Sequence, residues 1–142
     1  MKVKIKHPQQ NPNQEPQQKD FIDFTIEDIQ KLEDSICTEL YIGNILDYYV
    51  NRDELFMLLV KKVRYGGKLI IHGIDLLGVA FDLSADKINI QTASQALYGG
   101  KQSATSLEYM RQMLTQFGFN ITYSHISSPH YAITAQRPVP HV

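Results

Sequence analysis

A helical spacing of apolar side chains runs through residues 51–64 of the sequence. Asn51 is a suitable N-cap, and the leucines, phenylalanine and valines that follow share one broad face. Lysines and an arginine end the segment, where cations interact favourably with the helix dipole. Gly66-Gly67 then supplies a stop signal. The pattern predicts a helix over 51–64 and, after the glycines, a buried strand over 68–72, KLIIH.

A second helical pattern runs through residues 105–117. Thr105 and Glu108 have the spacing of a capping box, and Gly118 follows the last apolar position, where a C-terminal glycine is favoured. We predict a helix over 105–117 whose buried face presents four side chains: Leu107, Met110, Leu114 and Phe117.

Shorter apolar runs predict the remaining elements. Strands are expected at 2–6, 21–24, 36–42, 119–125 and 131–136. In the first of these strands, Val3 and Ile5 alternate with lysines, which predicts one polar face. Thr25 is placed to cap a short helix that follows the second strand. Residues 75–102 are ambiguous and fit two short helices, at 76–83 and 86–96.

The order of these elements predicts the fold class. Strands alternate with helices through most of the chain, which favours an α/β fold with a mostly parallel sheet. Ser127-Ser128-Pro129 joins the last two strands and predicts a C-terminal antiparallel hairpin.

The segment at 8–19, PQQNPNQEPQQK, contains three prolines and five glutamines but no large apolar side chain. It cannot bury surface, so we predict a loop or a disordered linker. The expected organisation is a short strand plus linker at 1–19, one α/β domain at 20–137 and a tail at 138–142.

Composition narrows the function classes. At 142 residues and a formal net charge of −1, the chain has the size of one domain and lacks the positive charge that favours nucleic acid or anionic membranes. The single cysteine, Cys37, excludes an intramolecular disulfide, and its apolar neighbours favour a buried thiol. Apolar runs fall short of the ~20 residues of a membrane span. We therefore expect a soluble, cytoplasmic protein.

From about residue 20 the chain resembles class I S-adenosylmethionine (SAM)-dependent methyltransferases of the type 11 kind. Four segments carry the likeness: 35–49 (SICTELYIGNILDYY), 52–71 (RDELFMLLVKKVRYGGKLII), 98–102 (YGGKQ) and 107–121 (LEYMRQMLTQFGFNI). The resemblance implies a Rossmann-like methyltransferase fold in a reduced form. It covers about three quarters of the chain, and the order and spacing of the segments carry it more than any one motif.

The first part of the chain departs from that family. In the family, the first strand ends in a Gly-x-Gly turn that admits SAM to the backbone, and the second strand ends in an acid that accepts the ribose hydroxyls. Here Lys6-His7-Pro8 stands at the glycine turn, and residues 8–19 replace the first helix and the second strand. Neither the glycine loop nor the ribose-binding acid is assigned to a residue. We expect SAM binding to be weak or absent.

Polar residues follow two predicted central strands, where open α/β sheets bind their ligands. Gly43, Asn44 and Asp47 come after the strand at 36–42, and His72 and Asp75 come after KLII. These five residues are the cofactor-binding candidates, and the resemblance implies that the strand end at Asn44 and Asp47 helps to shape the pocket. At the other strand end, the spacing of His72 and Asp75 suits a base with an orienting carboxylate. Turn formation by the asparagine, helix capping by Asp47 and a structural histidine remain open alternatives. No catalytic residue is assigned.

The five histidines lack metal-ligand spacing, and we predict no metal site. His125 and His130 flank the expected hairpin turn and are placed to approach each other.

The resemblance and the departures together favour a pseudoenzyme: a non-catalytic structural or partner-binding module. The alternative is an active SAM-dependent methyltransferase with an atypical or subunit-shared cofactor pocket. Loss of the first helix is expected to leave one sheet face thinly covered, which favours a protein partner or a homo-oligomer. Tyr48 and Tyr49, beside the apolar segment 76–83, are the expected contact surface.

Overall fold

The computed structural model describes residues 1–7, 20–98, 101 and 103–140. The predicted linker at 8–19 and most of the loop at 98–102 lie outside the described residues, so the division into strand, linker, domain and tail remains a prediction. No helix in the described part of the chain is long and apolar enough to cross a membrane.

The described residues form strands and helices in the alternating order that the sequence predicts. The elements are β1 (Lys2–Ile5), β2 (Ile22–Phe24), α1 (Ile26–Gln30), β3 (Cys37–Gly43), a short 3-10 helix (Ile45–Tyr48), α2 (Arg52–Val60), β4 (Val63–Ile74), α3 (Leu76–Ser84), α4 (Ile90–Leu97), α5 (Leu107–Gln116), β5 (Asn120–Ser127) and β6 (His130–Gln136).

The strands form one sheet in the order β2-β1-β3-β4-β6-β5. The first four strands in this order pair in parallel, whereas β4 with β6 and β6 with β5 pair antiparallel. The predicted α/β class is therefore confirmed, with its mostly parallel sheet and its C-terminal antiparallel hairpin.

The main hydrophobic core lies on one face of the sheet. Val3, Leu40, Leu69 and Ala135 are register partners across four neighbouring strands, so their side chains share that face. Helices α1, α2 and α5 bury their apolar side chains in the same core. The apolar side chains that recur along these helices and strands therefore pack into one continuous layer, which stabilises the fold.

The opposite face of the sheet is more polar. Lys4, Tyr41, Ile70 and Thr134 are register partners on it. The prediction that the lysines of the first strand make a polar face needs correction, because Lys4 is only 7% exposed and its ammonium lies 5.5 Å from the Tyr41 ring centroid. Strand β1 is an interior strand of the sheet, which explains this burial.

A second, smaller core covers the carboxyl end of β4. Ile74, Val79 and Ala93 are its buried members, and partly buried side chains of α3 and α4 pack against them. Ile74 lies on the same face as Ile70, since side chains alternate along a strand. Helices α3 and α4 therefore lie on the opposite side of the sheet from α2 and α5.

The predicted helix over 51–64 ends earlier, at Val60. Cys37 pairs with Val63, so pairing with β3 draws the chain into a strand before the charged run is complete. Gly66-Gly67 then lies inside β4 rather than stopping a helix. A Cβ on Gly67 would come within 3.0 Å of the Cys37 carbonyl, which explains a glycine at this close approach.

The predicted capping box of the last helix also needs correction. Ser106, not Thr105, is the N-cap of α5, and its hydroxyl accepts a hydrogen bond from the Tyr109 amide at 3.1 Å. Thr105 instead shares a buried 2.6 Å hydrogen bond with the Tyr131 hydroxyl. The predicted C-terminal glycine is confirmed, since Gly118 has a φ of 82°.

Candidate functional site

A cleft of about 660 Å³ opens at the carboxyl ends of β3 and β4. The 3-10 helix, helix α4 and the β5–β6 hairpin complete its walls. Its lining residues are Asn44, Tyr48, His72, Gly73, Ile74, Thr92, Gln95, Ala96, Lys101, His125, Ser127, Pro129, His130, Tyr131 and Ala132. This is the position at which open α/β sheets bind ligands.

Strand register arranges the floor of the cleft. His72 pairs with Ala132, and Ala132 pairs with His125, so the two imidazoles flank a small methyl side chain on one face. Two pairs further along, and on the same face, Ile74 lies opposite His130. The small Ala132 side chain keeps the floor open between the two histidines.

Helix α4 forms the facing wall. Thr92, Gln95 and Ala96 are three and four positions apart and therefore share a helix face. Asn89 caps this helix, because its side-chain oxygen accepts a hydrogen bond from the Thr92 amide at 2.8 Å. The cleft thus lies between one helix face and one sheet face.

Two of the five predicted cofactor-binding residues, Asn44 and His72, line the cleft. Gly43 ends β3 with a φ of 60°, a left-handed conformation that glycine adopts without strain. Gly43 turns the chain from β3 towards the 3-10 helix and so places Asn44 and Tyr48 at the cleft.

Asp47 is buried below the cleft surface, with 1% of the residue exposed. Its Oδ2 accepts a hydrogen bond from the Ile74 amide at 3.2 Å, and its carbonyl accepts one from the Ser103 amide at 3.0 Å. Burial raises the pKa of the carboxyl to about 7, although the Ile74 amide and the charges of Lys101 and Arg52 act in the opposite direction. Asp47 therefore ties the 3-10 helix to the end of β4.

Asp75 likewise has a structural role, because its hydrogen bonds connect β4 to α5 and to the β5–β6 hairpin. Its Oδ1 accepts a hydrogen bond from the Leu107 amide at 3.2 Å, and its own amide donates to the Pro129 carbonyl at 2.8 Å. The His72 ring is hydrogen-bonded to the Tyr41 hydroxyl at 3.3 Å. The predicted pairing of His72 with Asp75 as base and orienter is therefore wrong, because the carboxylate is directed to the first turn of α5.

The carboxyl end of β1 lies next to the cleft. The His7 ring stacks on Tyr48 with 4.9 Å between centroids and meets the Tyr49 ring edge-on at 5.3 Å. Burial lowers the pKa of His7. This imidazole fills space beside a tyrosine that itself lines the cleft.

Asp23 lies in β2, although no ribose-binding acid was predicted for the second strand. It forms an ion pair with Lys6, with 2.8 Å between Nζ and Oδ2. The predicted strand at 21–24 already contained this residue. Asp23 was not recognised as a candidate because residues 8–19 were interpreted as replacing the family's second strand.

Sequence reasoning also missed the far wall of the cleft, to which Lys101, His125 and His130 belong. Burial, followed by the charge of Lys101, lowers the pKa of His130. The only signal in the sequence was the pair of histidines that flank the hairpin turn. In the part of the chain that the structure describes, no group of three or more His, Cys, Asp or Glu side chains could hold a metal ion.

No protein-family model matches the sequence, and no curated protein matches it. Solved structures do match the fold. An O-methyltransferase family protein from Burkholderia thailandensis superposes with a TM-score of 0.57 at 17% identity, covering 86% of this chain and 36% of that one. A SAM-dependent methyltransferase from Methanosarcina mazei superposes with a TM-score of 0.56 at 12% identity, covering 84% and 68%.

The magnesium protoporphyrin IX methyltransferase of Synechocystis PCC 6803, solved with bound SAH, superposes with a TM-score of 0.56 at 14% identity and covers 82% of this chain. This chain spans 51% of that protein's length, and 36% of the Burkholderia protein's. At these identities the matches show the fold alone. The chain has the Rossmann-like fold of SAM-dependent methyltransferases.

Proposed function

We propose that this chain is a methyltransferase-like binding module that does not transfer methyl groups. The observation that carries the proposal is the stacking of His7 on Tyr48 at the carboxyl end of β1. A Gly-x-Gly turn at this point leaves the backbone open to a cofactor, because glycine has no side chain. The sequence has Lys6-His7-Pro8 at this point, and the His7 imidazole already contacts the neighbouring aromatic ring.

The ion pair of Lys6 with Asp23 adds a smaller obstacle. An acid on the second strand is where the family binds ribose hydroxyls, and here that acid already has an ammonium partner at 2.8 Å. The two side chains are 54% and 48% exposed, so the pair contributes at most about 1 kcal/mol. A ligand could displace Lys6 at that cost. The missing glycine turn therefore weighs more in the proposal than the ion pair.

The cleft itself supports a binding role. Its volume of about 660 Å³ is within the range of small-molecule sites, which is roughly 300–1,000 Å³. It combines apolar side chains with a few polar groups, as such sites do. The predicted base and orienter, His72 and Asp75, make their hydrogen bonds elsewhere: His72 to the Tyr41 hydroxyl and Asp75 to the first turn of α5.

Calorimetric titration with SAM and with S-adenosylhomocysteine tests the proposal. We expect no saturable heat for either compound, while a methyltransferase of this fold gives the positive control under the same conditions. A dissociation constant in the low micromolar range, about −8 kcal/mol, overturns the proposal.

An active methyltransferase with a subunit-shared pocket is the second candidate. Asn44 and His72 favour it, because both predicted residues line the retained cleft. This candidate predicts that SAM binding appears as the protein concentration rises and a second subunit completes the pocket. Binding heat that is absent at every protein concentration excludes it.

Association with a protein partner, or with a second copy, is also part of the proposal. Leu77 and Phe81 of α3 are 63% and 65% exposed, and they lie one helical turn apart. This surface supports the predicted contact segment at 76–83. Tyr48 and Tyr49 contribute less to it than expected, because both are half-buried and contact His7.

A further inference from the structure

The ionisable side chains that line the cleft share one tendency: they carry positive or neutral charge. Lys101 and three histidines, His72, His125 and His130, line it, whereas no described Asp or Glu does. Asp47 is close in sequence to the lining residues, but its carboxylate is buried and accepts a main-chain hydrogen bond. The cleft therefore presents one ammonium and three imidazoles, and no described carboxylate, within a chain whose net charge is −1.

Lys101 is held in place by main-chain carbonyls, while the nearest acidic influence on it is the buried Asp47, whose carboxyl senses the charge of Lys101. Its ammonium donates to the carbonyls of Ala96 at 3.1 Å and Tyr98 at 3.4 Å, at the C-terminal end of α4. The negative end of the helix dipole stabilises a cation there. No carboxylate among the described residues lies within ion-pair distance of Lys101. An ammonium has three donors, so one N–H remains after the two carbonyl bonds.

His130 lines the same cleft as Lys101. The register of β6 places it opposite Ile74 on the cleft floor. Burial, together with the charge of Lys101, disfavours protonation of its imidazole, which places the two groups within electrostatic reach. An anion bound near both groups offsets that repulsion and gains a charge-assisted hydrogen bond.

The cleft is larger than a bare inorganic anion requires. Ile74, Ala96, Pro129 and Ala132 supply apolar contacts along the same lining. We propose that the cleft binds an organic anion, a carboxylate or a phosphate ester, with its charge at Lys101 and His130 and its apolar body along Ile74 and Ala132. The inference rests on the proposed function, since it assigns the ligand class of the same binding site.

Nuclear magnetic resonance titration of the full ¹⁵N-labelled chain tests the ligand class. Phenyl phosphate and benzoate are the anionic probes, and they distinguish a phosphate ester from a carboxylate. Benzyl alcohol is the neutral control with the same ring. We expect saturable shifts of the Lys101, His130 and Ala132 amides with at least one anion and none with the alcohol. Equal shifts with the alcohol, or no saturable shift with either anion, overturn the inference.

A matched pair of lysine variants tests the placement of the charge. Lys101→Gln removes the ammonium and should weaken binding of the anionic probe about tenfold, the effect of about 1.4 kcal/mol. Lys87→Gln is the control, because the Lys87 ammonium lies 5.4 Å from the Phe81 ring centroid and not in the cleft. An unchanged affinity in Lys101→Gln, or equal losses in both variants, contradicts the assignment.

The outcomes separate this inference from the proposed function. If neither anion binds, the proposed ligand class is wrong. The titration with SAM tests the proposed function independently of that result. Tight SAM binding overturns the proposed function even when the anions shift the Lys101 and His130 resonances.

Discussion

Asp47 shows how one residue links the sequence motif to the cleft. It belongs to the Asn44-Ile45-Leu46-Asp47 segment that follows β3, and the sequence placed it among the ligand contacts. The structure buries the carboxyl and directs it to the Ile74 amide at 3.2 Å. A buried carboxyl group favours its neutral form, and this raises its pKa to about 7. Its contribution to the site is therefore structural and depends on pH.

We predict that Asp47 makes stability fall as pH rises. Its pKa is about 7 in the folded chain and 3.8 as its ordinary value, so folding binds a proton between those values. The stabilisation by this proton is complete below pH 3.8. Where only the folded state is protonated, the free energy of unfolding falls by roughly 1.4 kcal/mol for each pH unit, and the stabilisation is lost as the pH rises through about 7. Asp47→Asn should flatten this dependence while keeping an acceptor for Ile74.

Urea unfolding of both proteins between pH 4 and pH 8 measures this effect. Asp86→Asn serves as the control, because Asp86 is exposed. The same slope in Asp47→Asn and in the unmodified chain would refute the pH dependence assigned to Asp47.

Ser106 gives a second test at the residue scale. Its hydroxyl accepts a hydrogen bond from the Tyr109 amide, one of the amides that the helix itself leaves unpaired. Ser106→Ala should lower the free energy of unfolding by about 0.5–2 kcal/mol. Ser124→Ala on the exposed edge strand β5 should change it little, since strand β5 is largely exposed at that position. Chemical denaturation distinguishes the two, and equal effects would mean that Ser106 is not the cap.

At the scale of single elements, α5 carries the clearest agreement between pattern and packing. Met110 and Leu114 of the predicted stripe are 2% and 0% exposed. Phe117 is 38% exposed because it lies past the helix end, where it meets Phe56 edge-on at 5.6 Å. The stripe therefore faces the sheet for most of its length.

We predict that Leu114→Ala lowers the free energy of unfolding by roughly 2–5 kcal/mol, the cost of truncating a fully buried leucine. Gln112→Ala is the control on the same helix, because Gln112 is exposed. Denaturant unfolding of the two variants measures the difference. A loss in Gln112→Ala as large as that in Leu114→Ala would show that the assigned face of α5 is wrong.

The element boundaries show what sequence could and could not predict. Thr25, which caps α1, and Gly118, which ends α5, act through local geometry, so their signals were sufficient. The end of α2 depends on pairing of Cys37 with Val63, a contact between distant parts of the chain. No local pattern encodes such pairing, and the predicted helix therefore ran too far.

The same distinction applies to the cleft. Asn44 and His72 could be identified because they directly follow their strands. The contribution of His125 depends on the order β4-β6-β5, which brings it opposite Ala132. The position of Lys101 in the cleft depends on the hydrogen bond that its ammonium donates to the Ala96 carbonyl near the end of α4. These two residues required the three-dimensional structure.

At the scale of the whole molecule, helices lie on both faces of the sheet, so the predicted association needs a different basis from an uncovered face. Helices α1, α2 and α5 pack into the main core on one face, and α3 and α4 lie at the carboxyl end of β4 on the other. The burial of Lys4 and Tyr41 weakens the argument from an uncovered sheet face. The exposed Leu77 and Phe81 now carry the expectation of a partner.

We predict that the purified chain sediments at micromolar concentration as a species larger than a single chain. Leu77→Ser with Phe81→Ser should shift the equilibrium towards the monomer, because the two substitutions remove exposed apolar area without touching the cores. Ile22→Ser is the control, because Ile22 is an exposed apolar side chain on the edge strand β2. A monomer at high concentration in the unmodified chain would reject homo-oligomerisation.

A crystal structure of the chain grown in millimolar SAM decides whether the module holds the cofactor, because it shows the carboxyl end of β1 in the presence of SAM. We expect the His7 ring to remain stacked on Tyr48 and no density for SAM to lie between β1 and the cleft. A structure with SAM bound along β1, with the His7 ring displaced and Asp23 turned from Lys6 to the ribose, would contradict it.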